Sequence, residues 1–252
     1  MSPFETVPSQ TPHAVLTDYY AREDERSSYL RRIFDETAED YDRFEALLGL
    51  GSGHWYRHKT LQLAGLQPGM SVLDIGTGTG LVACAAVRIV GDPSHVVGVD
   101  PSVGMIRHAR VPAGVRLLEG RAEAIPVADA SADFLSMGYA LRHLSDLTRA
   151  FREFHRVLRP GGRLCLLEIT CPENAGLRAL LKLHLRGLMP LAARWLARRR
   201  GTRELMRYYW DTIEACAAPA VILQALTAAG FDGVHRSVDL GIFSDYRARK
   251  PQ

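Results

Sequence analysis

From residue 71 onward, short apolar runs alternate with segments whose apolar residues recur at helical spacing, the pattern of a parallel α/β sheet. Strands are predicted over 71–75, 95–99, 115–119, 133–137 and 163–169, most of them rich in Val, Leu or Ile. Before the last of these, Leu147, Ala150, Phe151, Phe154, Val157 and Leu158 fall on one helix face. Pro160-Gly161-Gly162 stops that helix and turns the chain into the fifth strand. Residues 219–229 read as a helix with proline near its start and Gly230 as its stop. Two strands over 234–240 and 242–247 then form an antiparallel hairpin at the sheet edge. The expected fold is α/β, Rossmann-like, with seven mostly parallel strands, an antiparallel edge strand and helices on both faces.

Ahead of the sheet the pattern changes. Residues 1–17, rich in Pro, Ser and Thr, read as a flexible arm. Residues 18–66 read as an N-terminal helical lid. Its first helix runs from Asp18, offers Tyr19, Tyr20, Tyr29 and Leu30 for packing, and carries Phe44, Leu47 and Leu48 on one face. The segment Gly49 to Gly53 breaks it, and a second helix runs from His54 to Leu66. The core spans 67–175 and is completed by 216–252. Between these lies an inserted basic amphipathic segment, 176–215, which Gly187 and Pro190 are predicted to split into two helices. Leu177 to Arg207 carries nine Arg and Lys and a single acid, Glu204, interleaved with Leu, Met and Trp. Such a stretch can rest on an anionic lipid surface, or form a lid whose apolar face closes a site, and both readings stay open.

Composition narrows the class. Of the 252 residues, 47% are hydrophobic and 23% charged, and the net charge of +3 is too small to argue for a nucleic-acid partner. Cys84, Cys165, Cys171 and Cys216 show no C-x-x-C pairing and read as reduced core thiols. No secretory signal and no apolar run of spanning length is visible. A cytoplasmic protein is expected, with peripheral contact at the inner membrane face and a homodimeric assembly both left open.

The candidate chemistry begins at Val72-Leu73-Asp74-Ile75, an apolar strand that runs into Gly76-Thr77-Gly78-Thr79-Gly80 and then a helix-like run from Leu81 to Val90. Glycine lets such a loop turn sharply and lets a ligand lie on bare backbone, and a helix start adds unpaired N–H groups. A dinucleotide site would space the glycines as G-x-G-x-x-G, one residue longer. Asp74 repels a pyrophosphate but suits a ligand bearing an ammonium and a sulfonium, which favours S-adenosyl-L-methionine over other nucleotides and over a turn that binds nothing. Asp100, at the predicted end of the second strand, is placed to hold two ribose hydroxyls. His54 and His58 stand at i, i+4 on a helix, but with Trp55 between them and no third ligand they carry no metal reading.

With Asp74 to Gly80, Asp100, Gly120 to Pro126 and Arg156 to Gly162 together, the chain resembles the class I S-adenosylmethionine-dependent methyltransferases. Phe34-Asp35, Tyr41-Asp42, Ala140 to His143 and Leu166-Leu167-Glu168 narrow the resemblance to the ubiquinone/menaquinone biosynthesis C-methyltransferases. The likeness is strong from Phe34 to Cys171 and weak after Tyr208. By position, it implies cofactor contacts from Gly76, Gly78, Thr79, Asp100, Arg121, Ala122 and Gly138, beside Asp74, Thr77, Gly80 and Pro101 of the same loops. Arg121 stands where the family usually has Asn or Asp, and Gly138 where it often has Ser.

The resemblance also implies a small lipophilic quinol or phenol as acceptor, with Arg142, Tyr41 and Asp42 at the reacting end. A ring carbon becomes an adequate nucleophile only as its hydroxyl gives up a proton. Charged Arg142 can stabilise the phenolate but is no base. His143, where the family more often has Asn, is either the proton acceptor or a residue that orients others by hydrogen bonding. The ending Leu240 to Tyr246 departs from the quinone enzymes and keeps a phenol or natural-product O-methyltransferase as the alternative.

Overall fold

The computed structural model describes residues 10–48, 53–191 and 201–252; the side chains of residues 44, 47, 48 and 203 lie outside that description. Seven strands form one sheet: β1 (Val72–Ile75), β2 (Val96–Asp100), β3 (Arg116–Glu119), β4 (Ala132–Gly138), β5 (Leu158–Ile169), β6 (Asp232–Asp239) and β7 (Phe243–Arg249). Their order across the sheet is β3-β2-β1-β4-β5-β7-β6. The first five are parallel, β7 runs antiparallel to both β5 and β6, and β6 closes the edge. The reversed strand thus sits one place in from the edge.

Alternation along each strand assigns its side chains to one of two cores. Leu73, Ile75, Leu135, Met137, Leu164 and Leu166 face a core filled by α5 (Leu147–Val157) and a later helix, Pro219–Ala228. Val72, Phe134, Cys165 and Leu167 face the other, under α2 (Gly53–Leu63) and α3 (Leu81–Val90). The predicted stripe on α5 is borne out, with Leu147, Ala150, Phe151, Phe154 and Val157 wholly buried.

Among the described residues the other α-helices are α1 (Arg26–Leu48), α4 (Val103–His108), α6 (Ala175–Lys182), α7 (Gly201–Ala215) and α8, the Pro219–Ala228 helix. The lid helix starts later than the charge pattern suggested. Asp18 to Arg22 is turn and bend, and Glu25 accepts the Ala21 N–H at 3.0 Å before α1 begins. Tyr20, Tyr29, Leu30 and Ile33 then pack with Leu205, Met206, Tyr208 and Tyr209 of α7 in a third core. The predicted face of Phe44, Leu47 and Leu48, and the break at 49–52, lie outside the described residues, as do 1–9 of the arm. Residues 10–17 of that arm do not hang free: the Leu147 N–H donates to Gln10 O at 2.8 Å and the Ala217 N–H to Pro12 O at 2.6 Å.

Two further expectations are corrected. Gly187 does not break the basic segment, because α6 continues into a wide π turn, Leu183–Leu188, that absorbs it, and helical backbone carries on through 189–191. The second half of the expected helix pair, 192–200, lies outside the described residues. Pro160-Gly161-Gly162 does not precede β5 but forms an irregularity inside it, between the pairings Ala132↔Leu158 and Phe134↔Arg163. The Gly161 N–H is satisfied there by Lys250 O and Pro251 O, so the C-terminus fills the gap in the ladder.

Because Phe154 has no exposed surface between sheet and helix, Phe154→Ala is expected to lower unfolding free energy by about 3–5 kcal/mol in urea titrations. Leu240→Ala, at a residue 82% exposed, is expected to change it by less than about 0.5 kcal/mol.

Candidate active site

The C-terminal ends of β1, β2 and β4 open onto one cavity, roofed by α1. Ile75, Gly76, Gly78, Asp100, Pro101 and Gly138 line its sheet side; Ser27, Leu30, Arg31, Phe34 and Tyr41 of α1 line its roof. In an open parallel sheet, this is where ligands bind.

The glycine loop is held rigidly from within. The Gly76 and Thr77 N–H groups both donate to Val99 O, at 2.8 and 3.1 Å, and the Gly80 N–H donates to Thr77 O at 2.8 Å. Gly78 donates to Asp100 Oδ2 at 2.8 Å. These four amides are therefore spent inside the protein, and what they offer a ligand is bare backbone rather than free N–H groups. Gly78, at φ +56°, has nothing within 4 Å of where a Cβ would stand, so a side chain there would fill part of the cavity. Gly138 is required by packing, since a Cβ would come within 2.5 Å of Val82 Cγ2; the family's Ser would force Val82 aside.

Two carboxylates sit at these strand ends. Asp100 is held by N–H groups on both oxygens, Gly78 on one and Ser102 on the other, each at 2.8 Å. Burial pushes its pKa up to about 6 against those hydrogen bonds. Each oxygen keeps a lone pair for a further donor. Asp74 is wholly buried beneath the loop and off the cavity wall, accepting from Thr77 Oγ1 and Ser136 Oγ at 2.7 Å each. Burial raises its pKa to about 6 as well. Thr77, Thr79 and Gly80 also stay off the wall. Arg121, Ala122 and Glu123 form a side wall, where Arg121 Nη2 donates to Ser145 Oγ at 2.7 Å.

Of the four residues expected at the reacting end, the structure brings two to the wall, Tyr41 and His143. The Tyr41 hydroxyl is hydrogen-bonded to that of Tyr209 at 2.7 Å, and burial pushes its pKa up. Both ring nitrogens of His143 are buried, and neither has a hydrogen-bond partner among the described residues. Its ring stacks on Tyr208 at 5.6 Å and meets Phe34 edge-on at 5.4 Å. Burial first, then the charges of Arg142 and Arg26, hold its pKa well below 6.5, so the ring is neutral at neutral pH.

Arg142 and Asp42 lie behind the wall. Arg142 is wholly buried; its Nη1 donates to Glu168 Oε1 at 2.5 Å and to Tyr139 O at 2.8 Å, and its guanidinium lies 4.7 Å over the Tyr209 ring. Asp42 accepts from Thr79 Oγ1 at 2.5 Å, while Asp35 accepts from Ser102 Oγ at 2.6 Å and the Gly104 N–H at 2.7 Å. These two acids stand at i and i+7 on one face of α1 and tie the roof to both ligand loops. Sequence reasoning missed Tyr139, Glu123, Ser145 and Met105 on the wall; Tyr139 stands in the left-handed region, at φ +59°, where no side-chain pattern announces it. His54 and His58 lie on α2, and the described residues contain no group of three or more His, Cys, Asp or Glu that could hold a metal.

Bare glycine backbone, a cradle a Cβ would fill, and a carboxylate with spare lone pairs at the end of β2, one strand from the sheet's switch point between β1 and β4, fit an adenosyl group. Fold and site define an S-adenosyl-L-methionine-dependent methyltransferase. Residues 22–250 match the ubiE/COQ5 methyltransferase family, and the chain belongs to it. A demethylmenaquinone methyltransferase of Mycobacterium sp. (strain JLS) is 32% identical over 220 residues, 87% of this chain and 93% of that one. A ubiquinone/menaquinone biosynthesis C-methyltransferase of Legionella pneumophila is 27% identical over 218 residues, 84% of this chain and 86% of the relative. Among solved structures, a SAM-dependent methyltransferase from Aquifex aeolicus shares the fold at a TM-score of 0.58 and 20% identity, covering 82% of this chain and 97% of its own.

Protonated Asp100 cannot accept both ribose hydroxyls, so affinity for S-adenosyl-L-methionine is expected to fall as pH drops through about 6. Calorimetric titrations of Asp100→Asn should show binding at least about tenfold weaker and flat across that range.

Proposed function

We propose that this methyltransferase transfers its methyl group to a ring carbon of a lipophilic quinol or related phenol, in biosynthesis of the ubiquinone/menaquinone type. The observation that carries the reading is the wall formed by Phe34, Tyr41 and His143: aromatic, on the same cavity as Asp100, and including an imidazole whose two buried nitrogens have no partner among the described residues. The names of the relatives above support the substrate class.

Bound S-adenosyl-L-methionine supplies a methyl group on an electrophilic sulfonium. The chain's own residues hold that nucleoside against Gly76, Gly78 and Asp100 and exclude water with the α1 roof. Neutral His143 accepts the phenol proton at a ring nitrogen, raising the electron density of the ring carbon; once methylated, that carbon gives up its own hydrogen as a proton to solvent and the hydroxyl is restored from His143. The Tyr41 hydroxyl, paired with Tyr209, faces the resulting oxygen anion. Arg142, beneath the Tyr209 ring, adds positive charge from behind without touching the acceptor.

A lipophilic acceptor suggests a lipid surface as its source. No helix among the described residues is long and apolar enough to cross a membrane. Leu180, Leu183, Leu188 and Leu191 each expose more than half of their surface along α6 and its continuation, beside Arg178, Lys182 and Arg186. We read this face as a peripheral contact with the inner, anionic face of the membrane, reached from the cytoplasm.

Incubation with methyl-labelled cofactor and a panel of demethyl-quinols and phenols is expected to place the label on a ring carbon; label on oxygen alone would overturn the reading. His143→Phe, which keeps a ring and loses both nitrogens, is expected to lower kcat about a hundredfold with cofactor affinity retained. Because the imidazole is already neutral, the wild-type kcat profile should show no inflection near pH 6.5.

A further inference from the structure

The segment ahead of the lid carries a histidine with no assigned role. His13 is 4% exposed, although it lies in a stretch without regular secondary structure. Its Nδ1 lies 2.7 Å from Ala14 O, and its Nε2 lies 2.5 Å from Arg26 Nη2. A guanidinium only donates, so Nε2 must present a lone pair and Nδ1 must carry the proton. The tautomer is therefore fixed by its partners.

Arg26 is wholly buried, and the same Nη2 donates its other hydrogen to Arg142 O at 2.9 Å. On the opposite side of that residue, the Arg142 N–H donates to Glu168 Oε2 at 3.3 Å. The short turn Leu141–His143 is thus held from two directions, by the Glu168 carboxylate of β5 and by the Arg26 guanidinium. The next side chain along is His143, on the cavity wall. The segment bearing His13 is itself fastened through Gln10 O to the first turn of α5 and through Pro12 O to the link between α7 and α8.

We propose that His13 is a positioning residue for methyl transfer: by accepting from Arg26 it aims that guanidinium at the Arg142 carbonyl, and so sets the height of the turn that carries His143 into the cavity. The argument rests on the reading that His143 faces the acceptor. With the acceptor on Nε2 gone, Arg26 keeps its charge and its Glu23 partner but loses the contact that orients Nη2. A displacement of the turn by a fraction of an ångström misplaces His143 without disturbing Asp100 or the glycine loop.

Two amides separate this role from a merely structural one. Gln places its oxygen near the position of Nε2 and keeps the acceptor for Arg26; Asn places its NH2 near Nδ1 and keeps only the bond to Ala14 O. With a demethyl-quinol acceptor, His13→Ala and His13→Asn are expected to lower kcat at least about tenfold with KM for S-adenosyl-L-methionine unchanged, and His13→Gln to restore kcat to within about threefold of wild type. Equal losses in Gln and Asn variants, a rise in cofactor KM matching the fall in kcat, or full activity in His13→Ala would overturn the proposal. If the wild-type protein transfers no methyl to any quinol, the proposed acceptor class fails, and amide hydrogen exchange still decides this point. The His143 and Leu144 amides, bonded to Ala140 O and Leu141 O, should exchange at least about tenfold faster in the Ala and Asn variants but not in Gln, with global protection retained. Unchanged exchange at both amides in His13→Ala would overturn it.

Discussion

The Asp100 carboxylate is fixed at the end of β2 by one N–H group from the glycine loop and one from the loop that leads into α4. Those two bonds join the halves of the ligand crevice. They also set the carboxylate's direction before any ligand arrives, so binding spends nothing on ordering it. Burial makes the group reluctant to ionise, and the two N–H donors offset part of that penalty. Asp74 repeats the arrangement one strand over, with Thr77 and Ser136 as donors, and there the geometry points inward. One acid faces the ligand and the other braces the loop from below.

The roof depends on the same loops. Asp35 and Asp42 connect α1 to Ser102, Gly104 and Thr79, so the helix that carries Phe34 and Tyr41 is registered on the strands that hold the cofactor. Behind it, the Arg142–Glu168 pair is buried on both sides. Such a pair gains little net stability over well-packed apolar groups, because both charges leave water. What it provides here is direction: Glu168 takes both the Arg142 guanidinium and its backbone N–H, which fixes the turn before His143.

Strand positions, the helix over 147–157 and the glycine loop were legible because their signals are local: period-two alternation, period-3.6 stripes, and glycines where φ is positive. The family motifs drew attention to Asp42, Thr79, Arg142 and Glu168 one by one, but not to the bonds between them, Thr79 to Asp42 and Arg142 to Glu168. Thr79 lies 37 residues from Asp42 and Glu168 lies 26 from Arg142, and only folding brings them close. The same reason hides Arg26 and His13, which look like an ordinary surface charge and an ordinary arm residue until both are found buried. α4 was missed because six residues are too few for periodicity to speak, and the π turn because Gly187 signals a break only in a regular helix.

The central claim is that the cavity between Asp100 and the Tyr41–His143 wall holds the cofactor's nucleoside at one end and the acceptor at the other. A crystal structure with S-adenosyl-L-homocysteine tests it most directly. The account predicts both ribose hydroxyls within about 2.5–3.2 Å of the Asp100 oxygens, the backbone of Gly76 and Gly78 against the ligand, and the sulfur facing His143. A nucleoside seated elsewhere, or an Asp100 carboxylate turned away from the ribose, would contradict it.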